Sequence, residues 1–157
     1  MIQLKTERLT ILPLTDQELK NMIDNEKDET LKTAYSEMLE GCQKNPEHRI
    51  WHTLWVLKLN SSGETVGSLA FKGFNGGAVE IGYGINPEYQ GKGLMTEAVK
   101  AAVYWAAAQP GVTAIEAETE PDNIASQRVL KKAGFVPKGV NGAEGPRYIW
   151  KAEDNKP

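Results

Sequence analysis

Residues 78–99 have the sequence AVEIGYGINPEYQGKGLMTEAV, and the rest of the chain is organised around this segment. As far as Ile85, apolar residues alternate with glycine or glutamate, which is the two-residue period of a β-strand. Pro87 ends the strand because proline has no N–H to donate to a neighbouring strand. From Leu94 onward, the apolar residues recur at helical spacing. The segment therefore predicts a strand, a glycine-rich turn and the beginning of a helix.

The turn between this strand and this helix contains two glycines, Gly91 and Gly93. Glycines leave backbone N–H groups uncovered by side chains, and the beginning of a helix carries the positive end of its dipole. Together these features predict an anion site suited to a phosphate group. The segment matches neither the dinucleotide fingerprint G-x-G-x-x-G nor the P-loop G-x-x-x-x-G-K-S/T. A purely structural glycine turn is the alternative interpretation.

The composition indicates one globular domain over residues 1–157, with 40% hydrophobic and 25% charged residues. No apolar run approaches the ~20 residues that span a bilayer, and MIQLKTERL at the N-terminus lacks the apolar core of a signal peptide. We therefore expect a cytoplasmic protein without membrane contact. A net charge of −3 argues against nucleic acid as a partner. Cys42 is the only cysteine, and no His/Cys/Asp cluster has metal-ligand spacing.

The glycine turn resembles the pyrophosphate loop of the GNAT superfamily of N-acetyltransferases, Gln/Arg-x-x-Gly-x-Gly/Ala. Gln90 and Gly93 match this pattern, whereas Met95 stands where the family most often has glycine or alanine. QGKG followed two residues later by TEA is similar to the RimJ/RimL-type branch, the ribosomal-protein N-terminal acetyltransferases. The resemblance implies acetyl-CoA as the cofactor, although Lys92 is equally explained as a solvated surface lysine. The cofactor contacts that it implies are Tyr83, Ile85, Gln90, Gly91, Lys92, Gly93, Leu94, Met95, Thr96, Asn123 and Ser126.

Residues 123–135, NIASQRVLKKAGF, resemble a second family pattern, in which an asparagine begins a helix that ends at Gly-Phe. In the family, the residue matching Asn123 also bonds across to the open edge of the central strands. Many members have a tyrosine seven residues after this asparagine, where it protonates the departing thiolate, but this chain has Leu130 there. In the RimJ/RimL-like branch the proposed donor is a serine three residues after the asparagine, which matches Ser126. The alternative for Ser126 is an ordinary hydroxyl that bonds to the backbone.

Residues 6–9, TERL, also resemble the opening of that branch. The resemblance and the periodicity together predict the order β-αα-βββ-α-β-α-ββ, an α+β (mixed α/β) GNAT fold. A twisted, mostly antiparallel sheet of about six or seven strands is flanked by about four helices. The predicted strands span residues 8–14, 51–59, 65–72, 79–85, 114–120, 135–140 and 148–152. The predicted helices span 15–23, 28–39 with a stop at Gly41, 94–109 and 121–133. Residues 15–18 are predicted to form a capping box at the beginning of the first helix, and residues 74–77 a turn that leads into the central strand.

The chemistry implied is direct attack of an amine on acetyl-CoA through a tetrahedral intermediate. A lysine-type amine, with a pKa of roughly 10.4, is protonated at pH 7, so a base must remove a proton. Glu80 is the candidate base because it lies beside two glycines on the central strand, and a cross-strand ion pair is its alternative role. The second choices are water and two glutamates, Glu118 and Glu120, which alternation places on a common face of the neighbouring strand. Ser126 or water then protonates the leaving thiolate, and a backbone N–H near Tyr83 stabilises the oxyanion.

The acceptor is expected to be a primary amine, either a protein N-terminal α-amine or a small molecule. A monomer and a homodimer are both compatible with the sequence. The alternative function, from a different class, is a non-catalytic acyl-CoA-binding or regulatory module.

Overall fold

The computed structural model describes residues 2–75 and 77–155. Within these ranges the chain forms eight strands and four α-helices, with short 3₁₀ helices at Pro46–Trp51, Pro87–Tyr89 and Ala152–Asn155. The strands are β1 (Leu4–Lys5), β2 (Leu9–Pro13), β3 (Leu54–Leu59), β4 (Thr65–Asn75), β5 (Ala78–Ile85), β6 (Ala114–Glu118), β7 (Val136–Asn141) and β8 (Pro146–Lys151). The α-helices are α1 (Asp16–Asn25), α2 (Glu29–Lys44), α3 (Leu94–Ala107) and α4 (Ile124–Lys132).

All eight strands form one sheet in the order β1-β2-β3-β4-β5-β6-β8-β7. Only the β5–β6 pair is parallel, and the other neighbours are antiparallel. The predicted mixed fold and its order of elements are confirmed, with the short β1 as an additional strand. No helix in the described part of the chain is long and apolar enough to cross a membrane.

One face of the sheet is covered by α3 and α4 because β5 and α3 present matching apolar surfaces. Val79 and Ile81 of β5 are almost completely buried. The buried face of α3 is built mostly from alanine and valine, which allow a close approach to the sheet. Its fully buried residues are Ala98, Val99, Ala102, Val103 and Ala106.

The opposite face carries α1 and α2, which pack over β3 and β4 in a second cluster that includes Leu19, Cys42, Val56 and Ala70. The predicted capping box is present, since Thr15 accepts from the Glu18 N–H and Glu18 accepts from the Thr15 N–H.

The predicted stop of the second helix at Gly41 is wrong, because α2 continues to Lys44. A Cβ at Gly41 would lie 2.8 Å from Nδ1 of His52. The glycine therefore serves close packing inside the helix and not its termination.

Several strand boundaries also differ from the prediction, and three of them change how the surrounding residues are used. Residues 51–53 precede β3 because the 3₁₀ helix at Pro46–Trp51 places the Trp51 ring 5.1 Å from Phe71 and 5.3 Å from Trp105. The sixth strand ends at Glu118 rather than at residue 120. Phe74 belongs to β4 and not to the predicted turn over residues 74–77, of which Gly76 lies outside the described residues.

The central strands β5 and β6 separate part-way along their length. They pair only between residues 78–80 and 114–116, whereas β5 stays paired with β4 as far as Ile85. The two strands therefore diverge beyond Glu80, and this divergence opens the edge of β5 beside α4.

Candidate functional site

A cleft of about 380 Å³ lies between the end of β5, the following loop, the beginning of α3 and one side of α4. Ten of the eleven predicted cofactor contacts line it, Lys92 being the exception. The Lys92 ammonium instead lies 5.5 Å from the centre of the Tyr89 ring. The ten are Tyr83, Ile85, Gln90, Gly91, Gly93, Leu94, Met95, Thr96, Asn123 and Ser126.

The loop at the mouth of the cleft depends on its two glycines. Gly91 has φ +76° and Gly93 has φ +80°, in the left-handed region that side chains other than glycine rarely adopt. Gly93 is the N-cap of α3, and no side chain caps this helix. The first N–H groups of a helix have no partner within it. Residues 94–96 line the cleft, so the beginning of α3 offers uncapped donors and a positive dipole end to an anion.

A clasp formed by Thr6, Arg8 and Glu97 holds this loop from outside. Nε of Arg8 donates to Glu97 Oε1 at 2.8 Å, the Arg8 backbone N–H donates to Oε2 at 2.9 Å, and the Thr6 hydroxyl donates to Oε2 at 2.5 Å. Nη1 of Arg8 donates to the Lys92 carbonyl oxygen at 2.9 Å. Partial burial raises the pKa of Glu97, but the hydrogen bonds from Thr6 and Arg8 outweigh it and hold that pKa below its ordinary value.

Tyr83 and Ser126 meet across the inner end of the cleft. The Tyr83 hydroxyl lies 3.0 Å from Ser126 Oγ and 3.3 Å from the Ser126 carbonyl oxygen. Burial raises the pKa of Tyr83 to about 12, against the opposing effect of the Ser126 hydrogen bond. Asn123 caps α4, as predicted, by accepting from the Ser126 N–H at 3.1 Å. The Ser126 hydroxyl is thus held by a phenol from the central strand.

Glu80 lies on the opposite face of β5 from Tyr83, because the two residues are an odd number of positions apart in a strand. Arg147 of β8 connects it to the neighbouring strand. Nη2 of Arg147 donates to Glu80 at 2.7 Å and to Glu116 at 3.3 Å, and Nη1 donates to Glu118 at 2.7 Å. Glu80 therefore has the cross-strand ion pair that the sequence left as its alternative role.

The two glutamates on β6 have further donors. Glu116 also accepts from Lys138 at 2.8 Å, and Glu118 from the Glu144 N–H at 2.7 Å. Burial raises the pKa of Glu116, but Lys138 and Arg147 outweigh it and lower that pKa overall. The Glu144 N–H and Arg147 lower the pKa of Glu118.

The predicted common face of Glu118 and Glu120 on one strand is not formed. The strand β6 ends at Glu118, and Glu120 lies exposed beyond it, in the turn that leads into α4. Its backbone carbonyl accepts from the Gln127 side chain at 3.4 Å.

The acetyltransferase (GNAT) domain family matches residues 8–136 of this chain, from the clasp to the last predicted motif. The chain belongs to the GNAT acetyltransferases. An uncharacterized N-acetyltransferase of Bacillus subtilis, YjdG, is 34% identical over 84 residues, which are 52% of this chain and 50% of YjdG. The chain thus spans about half the length of that curated relative.

Solved structures share the fold of this GNAT domain. The ribosomal-protein-S5-alanine acetyltransferase from Vibrio fischeri has a TM-score of 0.76 at 20% identity, over 100% of both chains. The Mycobacterium smegmatis RimJ protein, solved with a CoA disulfide, has a TM-score of 0.71 at 20% identity, over 95% of this chain and 84% of that one. The expected resemblance to the RimJ/RimL type is confirmed at the level of fold.

Acetyl-CoA is the cofactor of GNAT acetyltransferases, and the cleft of this GNAT domain suits its pyrophosphate. A Cβ at Gly91 would meet no atom within 4 Å, so the loop leaves room on its surface. The uncapped beginning of α3 supplies donors, and Arg128 and Lys132 add two positive charges from α4. Glycine backbone, helix dipole and cations are the combination that binds phosphate groups.

Several contributors to this GNAT site were missed from the sequence. Arg128 and Lys132 lie one helical turn apart, and that i, i+4 spacing after Asn123 was the available signal. The clasp had a signal in the TERL and TEA segments, although nothing local links them. No signal in the sequence pointed to Arg147, because its partners come from two other strands. The cleft residues that were not predicted are Gly84, Tyr89, Ala125, Arg128, Val129 and Lys132.

Proposed function

We propose that this GNAT domain is an acetyl-CoA-dependent N-acetyltransferase that acetylates a primary amine. The observation that carries the proposal is the uncapped beginning of α3, with Gly91 and Gly93 at positive φ, in a cleft beside diverging strands. This arrangement offers backbone donors to an extended anionic ligand at the place where the family motif lies. Acetyl-CoA supplies an already activated thioester, so the protein has mainly to position it and to move protons.

On the cofactor side, the N–H groups at the beginning of α3 bind the pyrophosphate, with Arg128 and Lys132 as additional cations. Beyond Glu80, β5 is no longer paired with β6. A backbone N–H of β5 near Tyr83 is thus available to stabilise the negative charge that develops on the carbonyl oxygen. Ser126 donates the proton that the leaving thiolate requires.

On the amine side, Glu80 is the proposed base, acting directly or through a water molecule. Its side chain is 30% exposed, whereas that of Glu118 is 11% exposed and already accepts from two donors. Along the same face of β5, a Cβ at Gly84 would meet no atom within 4 Å, and one at Gly82 would meet only Lys72, at 3.9 Å. The surface next to Glu80 is therefore open to an acceptor, and Arg147 fixes the orientation of the carboxylate.

The acceptor class follows from the solved relatives only by analogy of fold. One similar structure is that of a ribosomal-protein-S5-alanine acetyltransferase, and another is that of a chimera of a spermidine N-acetyltransferase, with TM-score 0.69 at 17% identity. We favour a protein N-terminal α-amine because the TERL and QGKG segments resemble those of the RimJ/RimL type. A small-molecule amine is the competing acceptor.

Thermal unfolding with and without acetyl-CoA tests the cofactor site first. Ligand at ~100 times its Kd stabilises a protein by about 2.7 kcal/mol, which corresponds to a rise of roughly 5–10 °C in Tm at this size. Release of CoA is then measured with N-terminal peptides and with small amines in parallel. Acceleration by one panel only would assign the acceptor class, binding without turnover would favour the non-catalytic acyl-CoA-binding module, and no shift would reject the cofactor site.

A further inference from the structure

The hydrogen bond between Tyr83 and Ser126 has no counterpart in the sequence pattern that predicted Ser126. Tyr83 reaches Ser126 Oγ at 3.0 Å from a different element, since Tyr83 lies on β5 and Ser126 in the first turn of α4. Both side chains line the cleft, at the end where β5 has separated from β6. Leu130, which stands where many GNAT members have a tyrosine, is completely buried. The phenol that contacts Ser126 thus comes from the strand and not from the helix.

We propose that Tyr83 is a positioning residue that orients the Ser126 hydroxyl and passes a proton to it during acetyl transfer. This inference rests on the proposed function, in which Ser126 protonates the leaving thiolate. The Tyr83 hydroxyl lies within hydrogen-bond distance of Ser126 Oγ, at 3.0 Å, and of the Ser126 carbonyl oxygen, at 3.3 Å. In the arrangement that the relay requires, Tyr83 donates to Ser126 Oγ, and the Ser126 proton is then directed into the cleft. Without that donor, Ser126 could turn its own hydroxyl toward a nearby carbonyl, as first-turn serines commonly do.

The proton transfers balance in three steps. Ser126 gives its proton to the sulfur as the carbon–sulfur bond breaks with its electron pair on sulfur. Tyr83 gives its proton to Ser126 Oγ, because a phenol is a much stronger acid than an aliphatic alcohol. After the products leave, Glu80 releases the amine's proton to solvent and the Tyr83 phenolate takes a proton from solvent. The net proton change at the enzyme is then zero, so no oxidant, reductant or other co-reactant is needed.

The surroundings of Tyr83 keep it protonated between turnovers. Burial is the main cause of its raised pKa, and Tyr148 of β8 adds to the rise. The other titratable groups that line the same cleft are Arg128 and Lys132 from α4 and Tyr89 from the loop. At neutral pH the phenol is therefore a proton donor, which is the form that the relay requires.

The test compares Tyr83→Phe, Ser126→Ala and the double variant in steady-state acetyl transfer. We expect each single variant to lower kcat by about 10²-fold, the low end of the range for a general acid, because water can replace the missing donor. KM for acetyl-CoA should change by less than about twofold, and the thermal shift should be unchanged. The double variant should be about as slow as either single variant, because the two residues act as one unit. The relay would be overturned if the fold-losses in kcat of the two single variants multiplied in the double variant. It would also be overturned if the variants raised KM and left kcat unchanged.

Tyr104→Phe is the matched control, since Tyr104 is 58% exposed on α3 and packs edge-on against Trp150. A fluorinated tyrosine at position 83, whose phenol is more acidic, gives a second readout that a structural role would not change. Its kcat should fall at high pH within the measurable range, while the wild type and the control stay level. If the wild type acetylates an amine and Tyr83→Phe equals it at every pH, the relay fails alone. If the wild type shows no turnover with any amine, the proposed function fails and the relay with it.

Discussion

The two faces of the central strand β5 differ in what their function depends on. On the face toward α3 and α4, the cleft is built from a contiguous loop whose glycines and helix beginning supply backbone donors. On the opposite face, Glu80 takes its place in a charged cluster assembled by Arg147 from three strands. A site built from backbone donors tolerates few substitutions, but its residues are contiguous and can be recognised in the sequence. The residues of a charge cluster are spread along the chain and can be recognised only in the folded structure.

The strongest way to break the backbone-dependent face is Gly91→Glu. A carboxylate in the loop would face the pyrophosphate, and two like charges about 4 Å apart repel by roughly 4 kcal/mol near a protein surface. We therefore expect affinity for acetyl-CoA to fall a hundredfold or more, measured by calorimetric titration.

Gly63→Glu provides a matched control for that variant. Gly63 lies in the turn between β3 and β4 with φ +75°, and a Cβ there, as at Gly91, meets nothing within 4 Å. The backbone strain is thus equal, but no cofactor contact is lost. Equal affinities for the two variants would contradict the anion site.

Glu80→Gln is the corresponding test of the charged face, and its effect should appear in rate and not in cofactor affinity. Loss of a general base typically lowers the rate by about 10²- to 10⁴-fold. The deficit should be largest near neutral pH, where the amine is still protonated, and should shrink at high pH as the amine becomes neutral. A pH profile of kcat/KM measures this, and a profile equal to that of the wild type would remove Glu80 from the mechanism.

Arg147→Met should reduce both turnover and stability, because three carboxylates lose their shared partner. The pKa values of Glu116 and Glu118 are lowered in the folded protein, so their contribution to stability is present above the unfolded pKa of about 4.3 and disappears as the pH falls through the folded values. The wild type should therefore lose stability as the pH falls below about 4, and Arg147→Met should lose less stability over the same pH range. Urea unfolding between pH 3 and 7 follows this change.

Lys44→Met serves as the control for that series, because it removes an ion pair with Glu40 that lies exposed on the surface of α2. Exposed pairs contribute little to stability. If both variants show the same pH dependence, the Arg147 cluster has no special electrostatic role.

These two faces also explain how much could be predicted from the sequence. The strand alternation, the glycine turn and the capping box at Thr15 each depend on residues within a few positions of one another, and each was predicted. The continuation of α2 past Gly41 was not, because the reason lies in contact with His52 from the following segment. For the same reason, Glu80 could be placed on a face but its partner, 67 residues later, could not be named.

The clasp of Thr6, Arg8 and Glu97 combines the two kinds of chemistry, because a long-range ion pair between Arg8 and Glu97 supports a loop that binds through its backbone. Breaking this ion pair should have the smallest effect of the changes considered. Arg8→Gln frees the Lys92 carbonyl and the loop, and Glu97→Gln removes the anchor of Arg8 on α3. We expect Kd for acetyl-CoA to rise severalfold in each variant. The double variant should show a coupling on the order of 1 kcal/mol, as contacting residues do.

Arg49→Gln and Asp16→Asn, which break a 2.7 Å ion pair at the beginning of α1, form the matched cycle. That cycle should change stability while leaving Kd for acetyl-CoA unchanged. If both cycles affect Kd equally, the clasp acts through general stability and does not position the loop.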